Sequence, residues 1–213
     1  MELFYGFKIA KDERSNSTLM GDAFKSSLKE FNQRLTDEQK KEAYTIVDSY
    51  LQKLAKEDES DSKVLSVEKK FAVNINDTVV LNGMIDRIDV DKDGVISVLD
   101  YKSTKNKKYL KDEWFQLQSY AYVLWTEDPT ITRVRGAYIL LRHNFERIEK
   151  EFSLDEIMEV KNKYEDYAKR IESEQLFRAN PTRMCTYCDH LALCAEGKEF
   201  TNPLIKSGEN KWV

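Results

Sequence analysis

The sequence predicts one α/β layer domain with a mixed central sheet flanked by helices, followed by a short cysteine-bearing C-terminal tail. Three observations predict it. Apolar residues recur at helical spacing in two early segments. The texture then changes to Val- and Ile-rich alternation punctuated by turn pairs, and helix and strand patterns interleave from there on. The 213 residues suit one domain plus a small appendage, with residues 1–177 as the domain and 178–213 as a tail packed on it.

Each element has its own signal. Phe24, Leu28, Phe31 and Leu35 form an apolar stripe within Gly21 to Leu35, and Ala43, Ile46, Val47, Tyr50, Leu51 and Leu54 form another within Thr36 to Glu57. Thr36 and Gln39 have the capping-box spacing, in which a hydroxyl and an amide satisfy free backbone donors reciprocally, so the second helix starts there. Leu65–Val73, Thr78–Val90 and Gly94–Lys102 alternate as strands, and Asn76-Asp77 and Asp93-Gly94 between them are turn pairs, which predicts an antiparallel meander. Lys111–Trp125 returns to helical spacing, Val134–Arg142 and Arg147–Phe152 read as a further hairpin, and Ser153 with Glu156 opens a last helix reaching about Phe177.

Composition narrows the function. Charged residues make up 34% and hydrophobic ones 41%, which excludes a disordered acidic chain and a membrane-spanning one. The 34 basic and 38 acidic residues leave a net charge of −4, so any nucleic-acid binding must be local. Seven Gly and three Pro leave no room for a Gly-rich phosphate loop as an organising feature. Met1 to Lys11 lacks the pattern of a secretory leader and no apolar run approaches the ~20 residues of a span, so a cytoplasmic protein without membrane contact is expected. The three cysteines lie within ten residues of one another, which suits a ligand cluster in a reducing compartment better than a disulfide framework.

The chemistry-bearing window is Val67 to Tyr120. Asp86 interrupts an apolar strand, and Asp100 follows Ile96, Val98 and Leu99 on the next. A desolvated carboxylate is costly unless paired or holding a cation, and two on adjacent strands can share one. Two Asp and a backbone carbonyl suffice for a hard divalent ion. Lys102 lies two residues beyond Asp100 and so on the same strand face, while Gln116 and Tyr120 are one helical turn apart. Lys105, Lys107 and Lys108 follow directly and are placed to meet phosphates. Asp89 to Gly94 matches the start of an EF-hand loop, but its flanks read as strands, so it is expected to be an acidic hairpin turn.

The segments GMIDR (83–87), LDYKS (99–103), QLQSY (116–120) and CTYCDHLALC (185–194) together resemble the PD-(D/E)xK nuclease superfamily. Within it they resemble the RecB-like exonuclease branch, which includes CRISPR-associated iron–sulfur exonucleases and AddB-type nuclease domains. The resemblance covers nearly the whole chain. It implies a restriction-endonuclease-like core and a metal-dependent exonuclease acting on DNA ends or single strands in recombination, repair or viral DNA processing, alongside a recombination or repair partner protein. It further implies Asp86 and Asp100 as ligands of Mg²⁺ or Mn²⁺, the Tyr101 carbonyl as a third ligand, and Lys102 beside the attacking water. Gln116 and Tyr120 would line the site, and Glu68 would correspond to a family Glu ahead of the first strand motif. One position departs from the pattern: Gly21-Asp22-Ala23-Phe24-Lys25 carries Lys where the family has a metal-binding His. The alternative is therefore a catalytically weakened DNA-end-binding or assembly module of the same fold. In the family, three cysteines such as Cys185, Cys188 and Cys194 join an N-terminal fourth to hold a [4Fe-4S] cluster; the fourth is absent here, and zinc with His190 competes.

Overall fold

The computed structural model describes residues 35–54, 62–107 and 114–207, together with the helical positions Ser26 and Lys29. Apart from Ser26, Lys29 and Leu35, the expected first helix lies outside the described residues, as do the Gly21–Lys25 motif and Lys108. The chain divides into two units, Met1–Asp166 and Tyr167–Val213.

In the first unit, α1 spans Asp37–Leu54 and opens on the expected capping box: Thr36 N–H donates to Gln39 Oε1 (2.8 Å) and Gln39 N–H to Thr36 Oγ1 (3.2 Å). The strands β1 (Ser62–Asn74), β2 (Val80–Asp91), β3 (Ile96–Lys102), β4 (Val134–Leu140) and β5 (Glu146–Phe152) form a sheet in that order. β1–β2, β2–β3 and β4–β5 are antiparallel. β3 and β4 are parallel, because the chain crosses between them through α2 (Phe115–Glu127). The sheet is therefore mixed, as the sequence predicts.

Both meander turns are held by a single carboxamide or carboxylate. Asn76 Oδ1 accepts from the N–H groups of Thr78 and Val79, and Asp91 Oδ1 accepts from those of Asp93 (3.0 Å) and Val95 (2.8 Å). Gly94 supplies the positive φ of 79° that this second turn needs. Asp91 is thus committed to its turn and to Arg135 (3.2 Å), and Asp89 to Arg87, which accounts for the EF-hand-like run as a hairpin.

Strand alternation sends the sheet's two faces into different cores. Ile88, Val98, Val134, Tyr138 and Leu140 pack against α2 and the helix α3 (Leu154–Ser173) through Leu117, Val123, Ile157 and Val160. Leu99, Ala137 and Ile139 face the other way, meeting Tyr50 of α1 and Phe145 of the β4–β5 loop. Gly136 lets the first core close, since a Cβ there would lie 2.5 Å from the Phe152 ring and 2.9 Å from Leu117 Cβ. The capping box of α3 is present, with Ser153 N–H donating to Glu156 Oε2 (3.0 Å). The helix ends at Ser173 rather than near Phe177 because Glu174 Oε1 captures the N–H groups of Leu176 (2.8 Å) and Phe177 (3.3 Å), folding the chain into a turn with Phe177 at φ 41°.

The second unit carries two short 3₁₀ turns, Arg183–Tyr187 and Leu191–Leu193, and the helix α4 (Ala195–Ser207). It begins within α3, at Tyr167, where the sequence reading divides the chain at 177/178. No helix among the described residues is long and apolar enough to cross a membrane.

Candidate active site at the open end of β2 and β3

The β2–β3 ladder runs from Val90↔Ile96 to Arg87↔Leu99 and stops there. One residue further, Asp86 stands on β2 and Asp100 on β3. The next inward-facing backbone donor of β3, the Tyr101 N–H, goes to Asp86 Oδ2 (3.0 Å) in place of a ladder partner. A side chain has replaced the strand, and the gap it leaves is where the acidic residues meet. Glu68 lies across β1 from Asp86, between the register pairs Val67↔Arg87 and Lys69↔Ile85, with φ at 47°. Such a backbone costs roughly 1–3 kcal/mol in a non-glycine residue and collects at functional sites.

Asp100 is 5% exposed. Gln116, at the start of α2, donates from Nε2 to Asp100 Oδ1 (2.8 Å) and to the Tyr120 hydroxyl (2.8 Å), which brings that helical turn against the two acidic strands. Lys102 donates to Gln116 Oε1 (2.9 Å) and places its ammonium 2.7 Å from Asp100 Oδ2. Burial raises the Asp100 carboxyl above the ordinary carboxylate range; Lys102 and Gln116 oppose the shift and the nearby Asp86 charge adds to it. The Tyr120 phenol is likewise raised, first by burial and also by the two carboxylates, with Gln116 opposing. Asp86, Asp100, Lys102, Gln116 and Tyr120 thus form one connected group.

The donor set suits a hard divalent cation. Asp100 Oδ2 is buried and faces the Lys102 ammonium at 2.7 Å, with no other partner among the described residues. The Lys102 carbonyl accepts from Leu141 N–H on the β4 side, so alternation turns the Tyr101 carbonyl toward the β2 side, into the gap beside Asp86. Two carboxylates and this carbonyl are the oxygen ligands Mg²⁺ or Mn²⁺ takes while keeping waters. No cluster of three or more Asp, Glu, His or Cys side chains is gathered for a metal among the described residues.

The structure distributes the other expected residues more widely. Lys107 is ion-paired with Glu146. Lys105 acts on Glu42, whose carboxyl is held low mainly by its hydrogen bond to Arg142, and Arg142 also reaches the Ser103 carbonyl. Tyr138 is a site neighbour that sequence reasoning missed: it pairs with Asp100 across the parallel ladder, and the Lys102 ammonium lies 5.2 Å from its ring centroid. No short-range signal marks it, since the pairing is made through the α2 crossover.

In the second unit, Cys185 Sγ accepts from Thr182 N–H (3.3 Å) and Cys194 Sγ from Gly197 N–H (3.2 Å), while Cys188 is exposed. The three sulfurs are not drawn together as a ligand set, and His190 does not join them.

Paired acids and a lysine at the open end of a mixed sheet, under a helix supplying Gln and Tyr, define an α/β protein of the nuclease type. A family model described as the PD-(D/E)XK nuclease superfamily matches residues 1–195, and the chain belongs to that superfamily. It is also similar to an ATP-dependent helicase/deoxyribonuclease subunit of Streptococcus uberis, with 48% identity over 44 residues, or 21% of this chain and 4% of that one. The protein of the same name from Streptococcus agalactiae is 45% identical over 49 residues, 23% of this chain and 4% of its own. The chain therefore spans only a small part of the length of these curated relatives. The crystal structure of SSO0001 aligns with 82% of this chain and 79% of that one at 18% identity and a TM-score of 0.41.

Proposed function

We propose that the chain is a divalent-metal-dependent deoxyribonuclease that removes nucleotides from DNA ends or single strands. The buried Asp100 carboxylate beside Asp86 and the Tyr101 carbonyl, with Lys102 and Gln116 converging on it, carries this reading. Asp86, Asp100 and that carbonyl would hold Mg²⁺ or Mn²⁺, and a bound ion supplies Lewis-acid stabilisation of charge at a phosphodiester. The protein's own groups do the rest. Lys102, fixed by Gln116 and Asp100, sets a positive charge beside the carboxylates, where it orients an attacking water or offsets charge on the phosphorane. Gln116 fixes Asp100 through Oδ1, Oδ2 beside the Lys102 ammonium would be the oxygen shared with the cation, and Tyr120 holds the Gln116 amide. Lys105, Lys107 and Lys108 would meet DNA phosphates, Lys107 exchanging Glu146 for one. The relatives' name, a helicase/deoxyribonuclease subunit, supports a DNA substrate and a partner protein in recombination or repair.

The test is release of nucleotides from end-labelled linear DNA, single- and double-stranded, with circular DNA as control, in Mg²⁺ and Mn²⁺. Wild type should degrade linear substrates, and Asp100→Ala should lower the rate on the order of 10³-fold. Equal rates would remove the assignment, and attack on circles would replace exonuclease with endonuclease. Lys25, at the position where the family has His, favours a second reading: a DNA-end-binding or assembly module that keeps the fold. It predicts salt-sensitive binding without cleavage. For Cys185, Cys188 and Cys194 the spacing alone supports ligation of an iron–sulfur cluster, or of zinc with His190. Iron, sulfide and zinc analysis decides that point, and absence of all three sinks both readings.

A further inference from the structure

Beneath the acidic site, on the opposite face of the sheet, lies a second polar group that the proposed chemistry does not use. Arg87, the residue after Asp86, donates from Nε to Asp89 Oδ1 (2.7 Å), with 22% of its own side chain and 7% of Asp89's exposed. The Tyr101 side chain is partly buried against the core cluster that holds Tyr50 of α1, its hydroxyl hydrogen-bonded to Arg87 and to Tyr50. Tyr50 in turn packs on Phe145, ring centroids 4.8 Å apart. Burial works against the Arg87 charge, and the Asp89 bond and neighbouring phenols outweigh it, holding the guanidinium above its ordinary value. For stability alone, a well-packed apolar group of similar volume serves as well as a buried ion pair. What the polar group adds is direction.

That direction matters at Tyr101. Its peptide groups point toward β2 beyond the last register pair of the two strands, Arg87↔Leu99. One constraint is the Asp86 carboxylate on the N–H. The other is the anchored side chain, gripped from below by Arg87 and Tyr50. We infer that Arg87 and Tyr50 are positioning residues: through the Tyr101 hydroxyl they aim the Tyr101 carbonyl toward the cation site formed with Asp86 and Asp100. The inference rests on the metal reading above and deepens it, since it makes α1 a support of a ligand set to which it contributes no ligand.

The test is Mn²⁺ binding by the full chain, followed through the electron paramagnetic resonance signal of free Mn²⁺, with thermal unfolding recorded in parallel. Tyr101→Phe keeps the ring and the peptide and removes only the hydroxyl. It should weaken Mn²⁺ about tenfold, the scale on which outer partners of metal ligands act, without a matching fall in Tm in the absence of metal. Tyr50→Phe should weaken it less, and Arg87→Lys should retain more affinity than Arg87→Ala. Should Arg87→Ala fail to fold, the two Tyr→Phe variants carry the test. Wild-type affinity in Tyr101→Phe, or a lowered Tm with affinity unchanged, would overturn the positioning role and leave the metal site standing. A wild type that binds no Mn²⁺ would remove the metal reading and this inference together.

Discussion

The acidic site and the cysteine turns are put together in different ways. Asp86, Asp100, Lys102, Gln116 and Tyr120 come from β2, β3 and α2, up to 34 residues apart, and are held by contacts of 2.7–3.0 Å, Asp86 through the Tyr101 N–H. Cys185, Cys188 and Cys194 are close in sequence, form no metal-holding group among the described residues, and two of them are held by the N–H of a residue three positions away. Sheet registration assembles the first group without help, at the expense of a carboxylate buried without a full partner set. The second has sequence proximity and no long-range framework among the described residues. Nearness in sequence is thus a poor guide to readiness: the acidic site is joined across three elements, while Cys185 and Cys194 make only local bonds.

The contrast is open to attack from several sides. The largest effect expected is Mn²⁺ stabilisation of a site already built. At a concentration one hundred times its Kd, Mn²⁺ should add about 2.7 kcal/mol to unfolding free energy, read by calorimetry, and nothing in Asp100→Ala. An equal gain in that variant would mean the ion binds elsewhere. Next is Gln116→Ala, which unlocks both Asp100 and Lys102 and should lower kcat/KM for DNA ten- to hundredfold, about 1.4–2.7 kcal/mol; an unchanged value would show that the amide does not organise the site. Asp100→Asn measures the cost of readiness. Because the folded carboxyl is raised above its unfolded value, the ionised form destabilises the fold, and stability falls as pH rises from the ordinary Asp range through the raised folded value. At neutral pH without metal, Asp100→Asn should therefore be the more stable protein, by roughly 1 kcal/mol, and the difference should vanish on acidification below both values. A destabilised variant would show that Lys102 and Gln116 fully offset burial. The smallest effect is kinetic: in metal-free protein, exposed Cys188 should react with a maleimide before Cys185 and Cys194. Resistance of all three would break the contrast, since it would mean that a ligand already gathers them.

Much of the fold is legible in the sequence because it rests on local rules. Thr36/Gln39 and Ser153/Glu156 announce two helix starts through reciprocal hydrogen bonds over three residues, and Asn76 and Asp91 announce turns. Much of the candidate site is legible too, since two-residue spacing puts Asp100 and Lys102 on one strand face and four-residue spacing puts Gln116 and Tyr120 on one helix face. What stays hidden depends on contacts between distant segments. The end of the β2–β3 ladder, Tyr138 opposite Asp100, and the pairing of Lys107 with Glu146 are set by the crossover and the β4–β5 hairpin, not by any short window of sequence. The end of α3 at Ser173 escapes sequence reasoning for a smaller reason: Glu174 competes for backbone donors where helical periodicity continues.

Phe145 has a further consequence, for the order of folding. It sits in a loop whose residues Asn144 and Phe145 both take positive φ, and it is buried against Tyr50, while its carbonyl accepts from Lys53 (3.1 Å) and the neighbouring Arg142 grips Glu42. These ties of α1 to the hairpin loop cross about ninety to one hundred residues of chain. Loop closure over such a distance yields little until the parallel β3–β4 pairing has formed and carried the hairpin into place. The helix nearest the start of the described fold is therefore the last to gain its native contacts, and its amides should be among the first to exchange with solvent when the native protein opens.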